Sequence, residues 1–400
     1  MSLRARAAGN EGRVLLLTGL SHFTTHFFEL MFPTLAVVLA REVQLPLAEV
    51  LGWSFAGYLL FGLGALPAGV LADRFGARRV LLLGLAGMGV SALAAAESAP
   101  GRSLALCLAS LGLFASFYHP AGMSLISHTI AARGRALGIN GICGNLGIAL
   151  TPVLTAALVE RFGTRQAFAL AGFAACTLAV GLSFLPIRER PDSLAMPVPA
   201  AGRSRWLLFA LLCAAAMLAG ISYRGNTLVQ PAYFAEQVSQ LHFGAVTSLV
   251  YLVGIAGQYA GGVLADRYDL RWLYLGFHAA SLPLLVLMAG ASDAALVGLA
   301  ALFVFFSLGM QPIENSLFAR FSPARWRATG YGVKFVLTFG VGSTAVQLVQ
   351  WANAGGDLGT VFLYLAAVVA LLVGVILLFV GVSAGEAMHN LPAPAGEAVG

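Results

Sequence analysis

The chain has 400 residues, 59% of them hydrophobic and only 10% charged, with a mean hydropathy of +0.86. A soluble domain of this composition has nowhere to draw its surface from, so the chain belongs in a bilayer. The net charge of +6 does not mark a nucleic-acid partner, because the basic residues sit in short connections between apolar runs, where they act as topology signals.

Runs long enough to cross a ~30 Å hydrocarbon core fall at 13–40, 49–72, 80–97, 103–130, 136–158 and 166–186, the predicted helices 1 to 6. Helices 7 to 12 follow at 206–234, 243–265, 272–291, 295–318, 328–352 and 359–382. The first run is too long and too polar for a cleavable signal peptide and is expected to remain as helix 1. Cys107, Cys143, Cys176 and Cys213 lie inside these runs without CxxC spacing, which argues against a disulfide framework and a thiolate metal site. The fold class is therefore all-α membrane protein, with 12 transmembrane helices as two pseudo-symmetric six-helix bundles. A tail (1–12) precedes the first bundle (13–186). A linker rich in Pro, Ser and charge (187–205) joins it to the second bundle (206–382), and a tail (383–400) follows. With both termini cytoplasmic, most of the 23 basic residues fall on the cytoplasmic side, as the positive-inside rule requires. The expected location is the inner (cytoplasmic) membrane, multi-pass, with lipid as the surrounding partner.

The halves repeat. GVLADR occurs at Gly69–Arg74 and again at Gly262–Arg267, RGRALG (133–138) corresponds to RWRATG (325–330), and His119-Pro120 aligns with Gln311-Pro312. Paired membrane bundles place a substrate pathway at their interface.

A charge in hydrocarbon costs at least ~2.5 kcal/mol, so intramembrane ionisable groups face the bundle interior and are functional candidates. Helix 1 carries His22, His26 and Glu29 on one face; helix 4 carries His119 and, near its cytoplasmic end, His128. Helix 7 carries Arg224, helix 10 Gln311 and Glu314, and helix 11 Lys334, the chain's lone lysine. At a rise of ~1.5 Å per residue, Glu314 and Lys334 both lie roughly 10 Å in from the cytoplasmic face and can meet. Glu29 and Arg224 both lie in the outer half, on helices of opposite bundles, and together or with substrate they form a candidate outer gate. His119 and Gln311 lie near the midplane. A histidine there changes charge around neutral pH and suits a proton carrier, while Pro120 beside it frees backbone carbonyls. In helix 5, Gly138, Gly141, Gly144 and Gly147 form a stripe that lets another helix approach closely.

GVLADRFGARR (69–79), between helices 2 and 3, resembles the signature loop of the major facilitator superfamily, and GVLADRYDLRW (262–272) is its second copy, with Asp269 where the first has Gly76. The resemblance implies a monomer whose helices 1, 4, 7 and 10 line a central cavity. It also implies a cytoplasmic latch in which Asp73 faces the start of helix 11 and Asp266 the start of helix 5. Arg74, Arg78 and Arg267 would fix the loops to phosphates and carboxylates. Within that superfamily the chain is similar to the fosmidomycin-resistance-type exporters. The carrying residues are His22-Phe23, FYHPAG (117–122), RGRALGINGICGNLGIALTP (133–152) and YRGNTLVQPAYF (223–234). The family pattern favours Asp four residues after His22, where this chain has His26 with Glu29 a turn later. The resemblance implies proton-driven drug antiport.

The expected function is secondary active transport of a small organic solute by alternating access, coupled to protons through His22, His26, Glu29 or His119. An anionic group of the solute would be held by Arg224 or Lys334, and its apolar part by aromatics from the set Phe23, Phe27, Phe28, Phe117, Tyr118 and Tyr223, some of which must face lipid. Gln311 and Glu314 complete the polar set. The alternative is a divalent metal-ion transporter using His22, His26 and Glu29, joined by His119; a non-transporting membrane receptor is the third reading. No cofactor and no enzyme activity are expected, because the chain has no Walker loop and no supported nucleophile–base pair.

Overall fold

The computed structural model describes residues 3–130, 133–189, 203–239, 242–321, 332–353 and 357–384. Among them, eleven helices are long and apolar enough to span a membrane, and a pair bent by 46° supplies a twelfth. The first half holds α1 (Leu3–Glu42), α2 (Leu47–Leu63 and Ala65–Phe75), α3 (Ala77–Glu97), α4 (Arg102–Ala115 and Tyr118–Thr129), α5 (Arg133–Phe162) and α6 (Thr164–Ser183). The second holds α7 (Arg203–Gln237), α8 (Phe243–Arg267), α9 (Leu270–Met288), α10 (Asp293–Phe321), α11 (Gly332–Ala352) and α12 (Gly359–Val382).

Three spans expected to be continuous are not regular. In α2 the break at Gly64 lies one turn before Pro67, whose ring has no N–H and crowds the carbonyl four residues back. Pro120 acts in the same way on α4, and the helix opens at Ser116 and Phe117. α11 carries a π segment, Val336–Gly340, followed by a 3-10 segment, Val341–Thr344. α1 starts at Leu3, so much of the stretch expected as a tail continues the first helix. Most of the linker, RWRATG (325–330) and nearly all of the C-terminal tail lie outside the described residues.

Within each half, the second helix packs on the fourth through glycines. A Cβ on Gly112 of α4 would lie 2.0 Å from the Gly57 carbonyl oxygen of α2, and one on Gly261 of α8 would lie 1.8 Å from the Gly309 oxygen of α10. Between the halves α5 packs against α8, α2 against α11 and α1 against α7. At the α2–α11 crossing, a Cβ on Gly62 would meet the Gly340 backbone nitrogen at 2.0 Å, so the π segment and glycine-level contact coincide.

The two signature loops perform the same capping task by different means. Helix α3 starts after Gly76 (φ 91°), and its exposed amides are capped by Glu189 from beyond α6: Ala77 N–H and Arg78 N–H each donate to that carboxylate at 3.0 Å. Helix α9 is capped from inside its own loop, where Asp269 accepts from Arg271 N–H at 2.9 Å. In both copies an arginine donates to the carbonyl at the end of that half's last helix, Arg78 to Ser183 and Arg271 to Ser383, each at 2.5 Å. The described contacts of Arg78 thus lie within its own half. Asp73, Arg74, Asp266 and Arg267 are exposed. The start of helix 11 expected opposite Asp73 falls in residues 322–331, outside the described residues, and so do the side chains at the start of helix 5 opposite Asp266.

Candidate functional site

A cavity of about 360 Å³ lies between the halves. The first half contributes His22, His26, His119, Asn140 and Asn145 to its wall, and the second contributes Tyr223, Gln258, Gln311, Glu314 and Lys334. Met123, Leu137, Met310, Phe335 and Phe339 supply its apolar surface.

One polar chain crosses from α5 through α1 to α7. His22 Nδ1 lies 2.8 Å from the Asn140 carbonyl oxygen, His22 Nε2 lies 3.1 Å from His26 Nε2, and His26 Nδ1 lies 2.5 Å from Glu29 Oε2. The other carboxylate oxygen, Oε1, accepts from Arg224 at 2.6 Å, closing an ion pair between opposite halves. Periodicity explains why α1 can supply three members, since positions i, i+4 and i+7 share a face. The Arg224 guanidinium lies 3.8 Å from the Tyr58 ring centroid, and Tyr58 Oη donates to the Glu29 backbone carbonyl at 3.0 Å. Arg224 is 1% exposed and does not reach the cavity wall. The carboxylate partner of Arg224 in this structure is Glu29, the residue with which it was expected to form an outer gate.

A second cluster sits in the other half. Lys334 Nζ lies 2.8 Å from Glu314 Oε1 and donates to Asn315 Oδ1 at 2.5 Å, while Tyr274 Oη donates to Glu314 Oε2 at 2.7 Å. Both charged groups are nearly buried, yet both border the cavity. An amide ladder bridges the halves as well: Asn145 Nδ2 donates to Gln258 Oε1, and Gln258 Nε2 to Gln311 Oε1 at 3.1 Å. Like its sequence counterpart Gln311, His119 borders the cavity. Its ring stacks on Phe335 at 4.9 Å between centroids and lies 5.5 Å from that of His22 and 5.6 Å from that of His26.

Of the six aromatics from which substrate contacts were expected, Tyr223 lines the cavity, and Phe335 and Phe339 of α11 line it with Tyr223. Tyr118 instead stacks on His22 at 4.4 Å and hydrogen-bonds Asn140. Asn140, Asn145 and Gln258 escaped the sequence reading because a neutral amide leaves only a small dip in hydropathy. Their signal was an amide in the middle of an otherwise apolar run. The His128 side chain lies outside the described residues.

The glycine stripe of α5 divides into two. A Cβ on Gly144 would come within 2.4 Å of the His22 ring and one on Gly147 within 2.6 Å of the Phe23 carbonyl, whereas Gly138 and Gly141 face open space. Gly144→Ala is therefore expected to displace His22 from Asn140 and reduce transport at least tenfold, with Gly141→Ala close to wild type. A transport assay on the two variants checks this, and equal activity would separate the stripe from the histidine.

The family model described as Major Facilitator Superfamily matches residues 16–346. The multidrug efflux pump LfrA of Mycolicibacterium smegmatis is 35% identical over 140 residues, 34% of this chain and 28% of that protein. The fujikurins efflux protein of Gibberella fujikuroi is 26% identical over 293 residues, 70% of this chain and 62% of that one. In both cases the match spans less than two thirds of the relative's length. Among solved structures, a bacterial homologue of the human lysosomal transporter Spinster, inward-facing and occupied, superposes with a TM-score of 0.75 at 16% identity, covering 96% of this chain and 99% of that one.

Proposed function

Because the chain belongs to the major facilitator superfamily and is a multi-pass membrane transporter, we propose that it exports a small organic solute in exchange for protons, as a monomer in the inner (cytoplasmic) membrane with both termini cytoplasmic. Export is supported by the likeness to proteins named for multidrug and fujikurins efflux, and the topology by the distribution of arginines.

Proton coupling rests on one observation, the back-to-back contact of His22 and His26. The Asn140 carbonyl can only accept, so His22 Nδ1 carries hydrogen and its Nε2 presents a lone pair. The Glu29 carboxylate likewise requires hydrogen on His26 Nδ1. The 3.1 Å contact between the two Nε2 atoms is then a hydrogen bond when His26 is an imidazolium, donating to Glu29 on one side and His22 on the other. One extra proton satisfies every group in the chain. That proton also offsets the Glu29 charge that holds Arg224 across the halves, so loading it weakens the outer closure and unloading it restores the closure. The same proton is thereby linked to which side of the cavity opens.

The cavity wall suits a polar or zwitterionic solute with an apolar portion, the Lys334–Glu314 pair meeting its charges, the amides its hydrogen-bonding groups, and Phe335 and Phe339 its apolar surface. The test is transport in sealed proteoliposomes with imposed pH, sodium or potential gradients, against amphiphilic cations, phosphonate drugs and divalent metals. His26→Gln is expected to abolish gradient-driven accumulation while sparing substrate exchange. Full proton-driven accumulation by His26→Gln, or a sodium requirement in the wild type, would overturn the coupling.

A further inference from the structure

His22, His26 and His119 each offer a ring nitrogen, and the three lie within 4.8 Å of one another. With His22 Nδ1 committed to a carbonyl and His26 Nδ1 to a carboxylate, two Nε2 lone pairs point at each other across 3.1 Å whenever both rings are neutral. Such an arrangement is satisfied by a cation between them, and a proton is not the sole candidate. His119 Nε2 is buried with no hydrogen-bond partner among the described residues.

We propose that these three imidazoles form a binding site for a divalent late first-row transition ion, Zn²⁺ or Co²⁺ in chemical class. Two ligands of a tetrahedral ion at ~2.0–2.1 Å stand about 3.3 Å apart, close to the 3.1 Å between His22 and His26. The third nitrogen, within 4.8 Å of the other two, closes by a side-chain shift of about 1.5 Å to reach the tetrahedral separation. Imidazole nitrogens select such ions over Mg²⁺ and Ca²⁺, which take oxygen. The back nitrogens are already held by the Asn140 carbonyl and the Glu29 carboxylate, the outer-shell partners that orient histidine ligands and raise their basicity. The site borders the cavity, which leaves the fourth position to water or solute. Glu29 is thus an orienting group here and not a ligand, since its oxygens are taken by His26 and Arg224. Arg224 and, across the cavity, Lys334 are the nearby cations, each neutralised by a carboxylate at hydrogen-bond distance.

Because the ion uses the lone pairs that meet at the His22–His26 contact, it excludes the proton from that contact. It therefore inhibits proton-coupled transport, a consequence that rests on the proposed function although the binding itself does not. The test is Co²⁺ titration of the purified, tag-free full chain in detergent. The expected result is one ion per protein, with the visible absorption of tetrahedral cobalt and displacement by Zn²⁺. His22→Ala and His119→Gln each weaken binding at least a hundredfold, while His242→Ala, which removes an exposed histidine paired with Glu160, leaves it unchanged. Zn²⁺ also raises the thermal midpoint of the wild type and not of His119→Gln, as binding to the folded state requires. Absence of the cobalt bands in the wild type, or equal affinity in His119→Gln and wild type, overturns the proposal. Binding without inhibition of proton-driven transport overturns the competition alone.

Discussion

Lys334→Ala is expected to destabilise the protein by about 3–5 kcal/mol, the usual cost of removing one partner from a buried ion pair. Lys334 is 7% and Glu314 3% exposed at the side chain, and their contact is 2.8 Å. Without the ammonium, the carboxylate keeps the Tyr274 hydroxyl but no cation. The double variant Glu314→Gln with Lys334→Met removes both charges and should recover most of the lost stability even though transport stays lost, because neither group is left uncompensated. A double-mutant cycle on thermal stability in detergent measures this. Additive effects would mean that the pair contributes no coupling and that Lys334 serves the substrate or another helix alone.

Glu29→Gln should have an effect of similar size on conformation. It leaves the Arg224 guanidinium, 1% exposed, without a carboxylate at the contact that joins α1 to α7 across the halves. A loss of about 3–5 kcal/mol specific to the state in which the pair forms shifts the conformational equilibrium by two decades or more. Spin labels at Ala99→Cys and Ala294→Cys, exposed positions in opposite halves at the ends far from the signature loops, should move to longer distances in a cysteine-free background. An unchanged distance distribution would show that the pair does not hold the halves together. Arg224→Met with Glu29→Gln leaves neither charge uncompensated, and transport should stay lost because the contact between the halves is still missing.

The architecture was readable because hydrocarbon demands long apolar helices and the duplicated loop fixes their number in each half. Depth along a helix axis was readable too: counting 1.5 Å per residue put Glu29 level with Arg224 and Glu314 level with Lys334, and buried charges must find partners. Azimuth was not readable. Residue counting says how high Arg224 stands but not that Tyr58 and Glu29 turn it away from the cavity, nor that α11 winds as a π segment and aims Phe335 and Phe339 at His119. Neutral amides carried too small a hydropathy signal to be placed, although Asn145 and Gln258 join the halves. Capping by Glu189 was hidden because it joins residues more than a hundred positions apart.

That capping contact decides where one half ends. Counted by helices, the first bundle closes at Ser183. Counted by hydrogen bonds, it closes six residues later, because Glu189 holds the first turn of α3 and Arg188 exchanges two bonds with Asn10 at the foot of α1. In the second half Asp269 caps α9 from within its own loop. The two caps thus come from different distances along the chain: a gene split after codon 183 would leave the first turn of α3 without Glu189, whereas one split after codon 190 would keep the Glu189 cap with its own half and the Asp269 cap with the other.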